Sequence, residues 1–175
     1  YCDEQGLLIG GARYLGGRSH KAFLIKLDTS LNINSQILLS DLQEIYEERM
    51  HDIIAISRTV FEGEIYTFLL GRHINDGLVL SKIRENSNGE MELVNAKNLI
   101  FGYVSQNQNS RVRYLQLICG SECLYVVNQV SKSIVKIDFS LNLVWHKGLD
   151  DDNLNSISLS IADSHTHNLV FHGLY

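Results

Sequence analysis

The sequence predicts an all-β chain built from a repeated, four-stranded antiparallel unit. Three observations carry that expectation. A short phrase recurs: Lys26-Leu27-Asp28-Thr29-Ser30-Leu31-Asn32 returns as Lys136-Ile137-Asp138-Phe139-Ser140-Leu141-Asn142, with a looser copy, Lys82-Ile83-Arg84-Glu85-Asn86-Ser87-Asn88-Gly89, between them. The steps are 56 residues from Lys26 to Lys82 and 54 from Lys82 to Lys136, a fixed period that marks a repeat architecture. The apolar runs are strand-length, rich in Ile, Leu, Val, Tyr and Phe, and bounded by turn residues. Proline is absent, so the turns rest on Gly, Asn, Asp and Ser, which accept positive φ or bond their own backbone.

In chain order, the first strands are expected at 6–11 and 22–28. Phe23-Leu24-Ile25 is apolar at consecutive positions, as in a strand covered on both faces. The Asp-x-Ser-x-Asn stretch then makes a hairpin turn, because Asp and Asn side chains cap the turn backbone. Calcium is the competing reading of those oxygens, but the loop lacks a closing glutamate and the middle copy places Arg84 where Asp is expected. A strand at 33–39 follows. The insertion at 40–51 reads as a short helix: Ser40 and Gln43 make a capping-box pattern, and Leu42, Ile45, Tyr46 and Met50 share one face. It is either a lid on its own sheet or a partner-docking helix. Strands at 52–59, 65–71, 78–84 and 91–95 repeat the order, and a long connection spans 96–112. The third copy runs through 113–119, 124–128, 134–138 and 142–147. The alternation of Leu143-Val144-Trp145-His146 suits a half-exposed outer strand. Runs at 156–162 and 168–173 begin a further copy.

Four short antiparallel strands per repeat, covered on both faces, describe a β-propeller blade. Lys26-Leu27-Asp28 with Asn32, and Lys136-Ile137-Asp138 with Asn142 and Trp145, resemble propeller repeats of the type K-L-D-x-x-G-N-x-x-W. Leu31 and Leu141 stand where that pattern has glycine, and the middle copy lacks the aspartate and the tryptophan. The resemblance implies a setting in a large secreted or surface protein, hence an extracytoplasmic location. Closure takes at least 4 blades, about 220 residues at this period. The chain has 175 residues, so the expectation is a propeller segment completed by further sequence or by a neighbouring chain. Its parts are a partial blade at 1–39, the insertion at 40–51, blades at 52–95 and 113–148, and a partial blade at 156–175. A β-sandwich of about a dozen strands is the alternative fold.

Composition narrows the function classes. The net charge is −5, which argues against a nucleic-acid binder, and no apolar run approaches the roughly 20 residues of a membrane helix. Cys119 and Cys123 flank a predicted turn and are a candidate disulfide; reduced thiols are the equal alternative. His165, His167 and His172, and the acidic run Asp150-Asp151-Asp152-Asn153, are weaker metal candidates that read better as solvated loops. No nucleophile elbow, phosphate loop or metalloprotease pattern occurs, and no catalytic residue, cofactor or metal is assigned. The leading expectation is a non-catalytic protein-interaction or structural scaffold, with other protein chains or the rest of its own propeller as partners. The alternatives are a fragment of a propeller enzyme, quinoprotein dehydrogenase-like or glycosidase-like, and a carbohydrate- or metal-binding lectin-like module.

Overall fold

A computed structural model describes residues 2–3, 6–14, 20–39, 50–73, 77–99, 115–129, 132–148, 156–163 and 168–174. The chain divides into two compact units, Tyr1–Phe101 and Gly102–Tyr175. Every sheet is an antiparallel meander whose strands lie side by side in chain order. In the first unit one sheet contains β1 (Cys2–Asp3), β2 (Gly6–Tyr14), β3 (His20–Leu27) and β4 (Ile33–Leu38), and the other contains β5 (Met50–Phe61), β6 (Glu64–His73), β7 (Leu78–Glu85) and β8 (Met91–Leu99). In the second unit β9 (Leu115–Cys119), β10 (Cys123–Asn128), β11 (Ser133–Asp138) and β12 (Leu143–Gly148) form a third sheet, and β13 (Ser156–Asp163) pairs with β14 (Asn168–Leu174).

The expected strands all form, and β1 is an addition. The helix expected over 40–51 lies almost wholly outside the described residues, as do Leu42, Ile45 and Tyr46. Met50 is a correction: it opens β5 and is buried in the core at 2% exposure, so it belongs to no docking helix. A Cβ on Gly71 would come within 2.6 Å of its sulfur, so the glycine leaves the room that the thioether fills.

The three recurring phrases become three hairpins of one construction. Each ladder slips by one residue directly after the repeated lysine, between Lys26 and Leu27, Lys82 and Ile83, and Lys136 and Ile137. Each turn closes with the same pair of backbone bonds. Asp28 N–H donates to Asn32 O and Leu31 N–H to Asp28 O, with Asn86, Glu90 and Gly89, and Asp138, Asn142 and Leu141, in the equivalent places. The turn residue in the left-handed region is Leu31 (φ 64°), Gly89 (φ 80°) or Leu141 (φ 66°). This corrects the sequence alignment of the middle copy. Its turn begins at Asn86, not at Arg84, because the hairpin carries two extra rungs, Arg84 opposite Glu92 and Glu85 opposite Met91. Asn86 then does the capping: its Oδ1 accepts from the backbone N–H of Asn88 at 3.0 Å and of Glu90 at 2.9 Å.

In the first unit the two sheets pack face to face. Leu8, Ala22, Leu24 and Ile37 of the first sheet meet Leu69, Val79, Ile83, Leu93 and Ala96 of the second, flanked by Ile53 and Ile56. Gly10 permits this approach, since a Cβ there would lie 2.9 Å from the Ile53 side chain. Strand β5 lies over β2 and β3, and β8 lies against β4.

Candidate functional site

The two extra rungs of the β7–β8 hairpin have a consequence in the layer between the sheets. They carry Glu85 one step past Ile83 on the face turned toward the first sheet. There its carboxylate accepts hydrogen bonds from Lys26 Nζ on β3 and Arg58 Nη2 on β5. The side chains of Lys26, Arg58 and Glu85 are 8%, 4% and 10% exposed. Charges taken this far from water need partners, and one carboxylate between two cations supplies them across the sheet–sheet layer. The sequence signal was present in the repeated lysine, but the middle copy's longer hairpin hid its partner. A second pair, Arg72 with Asp52, ties β6 to β5: Arg72 Nε donates to both Asp52 oxygens at 3.0 and 2.9 Å.

The repeated lysine has a different environment in each sheet. Lys82 stands 4.0 Å over the Tyr66 ring, and burial pulls its pKa below the usual lysine value. Around it Tyr66 donates to Glu64, which together with the raised cost of burying a phenolate lifts the Tyr66 pKa. Arg84 donates to Glu92 at 2.9 Å. Lys136 lies 5.9 Å from the Tyr125 ring centre and directly opposite Trp145 on the edge strand β12. Tyr125 and Trp145 are tilted neighbours, with ring centres 6.2 Å apart. Burial first, and a hydrogen bond with Cys123 second, push the Tyr125 hydroxyl well above its ordinary pKa.

Cys119 and Cys123 are not bonded to each other. The expected three-residue loop is a two-residue one, Ser121-Glu122, closed by Gly120 N–H donating to Cys123 O at 2.7 Å. Cys119 therefore faces Leu124 across the ladder, and Cys123 sits one residue out of step with it. Successive residues of a strand point to opposite faces, so this register separates the two thiols. The turn oxygens are used by the turns themselves. Asp28 Oδ1 accepts from Ser30 N–H at 2.8 Å and Asn32 N–H at 2.9 Å, and Asp138 Oδ1 accepts from Asn142 N–H at 2.7 Å. Among the described residues no cluster of three or more His, Cys, Asp or Glu could hold a metal. The run 150–153 and His165 and His167 lie outside the described residues, and His172 falls in β14.

The remaining surface of note is the face of the first sheet turned away from the second. Leu7, Phe23, Ile25, Leu27 and Leu38 are half-buried there, and Ile9 is 40% exposed. Its cross-strand rows are Ile9–Ile25–Gln36 and Gly11–Phe23–Leu38. A shallow concavity of about 710 Å³ opens among Arg13, Phe23, Ile25, Gln36 and Leu38. Its lining is apolar apart from Arg13 and Gln36. Among the described residues no helix is long and apolar enough to cross a membrane. No family model, curated protein or solved structure matches the chain.

Proposed function

We propose that the chain is a non-catalytic interaction scaffold of the β-propeller kind, in which blade-like sheets stack about a common axis. One observation carries the reading. The first sheet is apolar on both faces, and while one face is sealed by the second sheet the other is only half-covered. A sheet with two apolar faces is made to lie between two layers. The common meander order, the slip after each repeated lysine and the shared turn support a blade repeat. The interior charges support a structural role, since Glu85 is engaged by Lys26 and Arg58 within the stack.

The open face is where a further sheet or a partner protein would dock. The double substitution Ile9→Lys with Ile25→Lys places two charges on it without touching the sealed face. The parent chain is expected to bind anilinonaphthalene sulfonate and to self-associate at micromolar concentration, and the variant to lose both with an unchanged far-ultraviolet spectrum. A parent that neither binds the dye nor associates would overturn the scaffold reading, because the face would then be satisfied within its own fold.

A further inference from the structure

Apolar burial is non-directional, so hydrophobic contact alone does not tell one apolar face from another. The first sheet has two such faces: Leu8, Ala22, Leu24 and Ile37 on one, and Ile9, Phe23, Ile25 and Leu38 on the other. The second sheet lies on the former. What distinguishes that face is Lys26, which follows Leu24 by two residues and pairs with Leu8 across the ladder. The second sheet meets it with a carboxylate already engaged on one side. Arg58 of β5 donates to Glu85 Oε2 from within the second sheet, and Lys26 donates to Oε1 from the first. All three side chains are at most 10% exposed. In the other two sheets the repeated lysine is turned to a tyrosine of its own sheet, Lys82 to Tyr66 and Lys136 to Tyr125. Counting from the lysine, the residues in the place of Glu85 are Thr29 and Phe139, both in turns and neither charged.

We propose that the Lys26–Glu85–Arg58 cluster is a pairing key: it selects the lysine-bearing face of the first sheet as the seat of the second sheet, and it does so without adding stability over an apolar layer. A second sheet laid on the opposite face would bury Glu85 Oε1 against apolar side chains, because the cations of that face, Arg13 and Lys21, stand at the other end of the β2–β3 ladder. It would also leave Lys26 without its carboxylate. Broken buried pairs are strongly disfavoured, whereas apolar residues of similar volume are often as stable as the intact ionic set or more so. Selectivity and stability therefore separate in suitable variants. The inference uses only contacts within the first unit and stands whether or not the sheets are propeller blades.

Disulfide trapping in the full chain reads the choice of face. Ile53→Cys on β5 is combined with Gly10→Cys, which reports the observed face because a Cβ at Gly10 would lie 2.9 Å from the Ile53 side chain, or with Ile9→Cys, which reports the other. Mass-spectrometric mapping of the linked peptides separates these bonds from any made by Cys2, Cys119 or Cys123. In the parent background the Gly10 pair should close and the Ile9 pair should not. With Lys26→Met, Arg58→Met and Glu85→Leu together, the urea midpoint is expected to hold or rise, while the yield of the Ile9 pair grows at least about tenfold. Exchanging the signs, with Lys26→Glu, Arg58→Glu and Glu85→Arg, should bring the parent pattern back. An unchanged Ile9 yield in the apolar variant would overturn the proposal, since packing alone would then choose the face. An apolar variant that fails to fold, or a reversed set that does not restore the pattern, would overturn it as well, by making the charges supports of the layer instead of selectors.

Discussion

At the scale of single residues, Glu85 is the position on which most depends. Its carboxylate accepts from two buried cations that stand on different sheets. Glu85→Gln removes the carboxylate that the buried Lys26 and Arg58 share, which should cost about 3 to 5 kcal/mol, read as a lower urea midpoint. Replacing Lys26 with Met in the same chain should recover part of that loss, since one orphaned charge is gone. Asp28 makes an acid prediction. The Asn32 backbone N–H leads the groups that hold its carboxyl below the ordinary value of 3.8, so the unfolded chain binds the proton more readily. Its contribution is complete above that value and fades as the pH falls through the lower folded pKa. Asp28→Asn should flatten this part of the acid-unfolding profile while keeping the turn, as Asn86 does in the middle hairpin.

At the scale of the element, the three hairpins test what a turn needs. Leu31 and Leu141 both hold a left-handed backbone that costs a β-carbon about 1 kcal/mol. The two leucines are not equivalent, however: Leu31 is 68% exposed and Leu141 is 1% exposed. Leu31→Gly is therefore expected to raise stability by up to about 1 kcal/mol. Leu141→Gly should lower it by about 2 kcal/mol, because the burial lost exceeds the strain relieved. Paired thermal melts decide the matter, and equal shifts in the two variants would refute the argument. The middle hairpin already has Gly89 at this position, and its novelty lies in length. Two added rungs put a carboxylate where the shorter hairpins have none.

At the scale of the whole molecule, a scaffold of stacked sheets should be held together by its sheet–sheet layers. Gly10 offers a local control on the same property. Gly10→Val drives a branched side chain into Ile53 and Ile56, an overpacking expected to cost about 1 to 3 kcal/mol in a denaturant titration. The same change would be mild if the sheets did not bear on each other there.

Much of this protein was legible without coordinates. Strand positions followed from short apolar runs, and turn positions from Asp, Asn and Gly, because both are set by neighbours along the chain. Even the outer place of β12 could be read from the alternation at Leu143 to His146. What pairs across the chain could not. The middle phrase kept its lysine in register yet moved its turn by two residues, so matching letters put Arg84 in a place that belongs to Asn86. The Cys119 and Cys123 spacing suggested facing thiols, until a two-residue loop set them out of step. Met50 had the spacing of a helix face but opens a strand, where Gly71 leaves room for its thioether. Local sequence determined which segments are strands and where they turn. Only the tertiary structure decided that Glu85 meets Lys26 and Arg58, because an ion pair between sheets depends on hairpin length and on the face each strand presents, and neither is a property of any one segment.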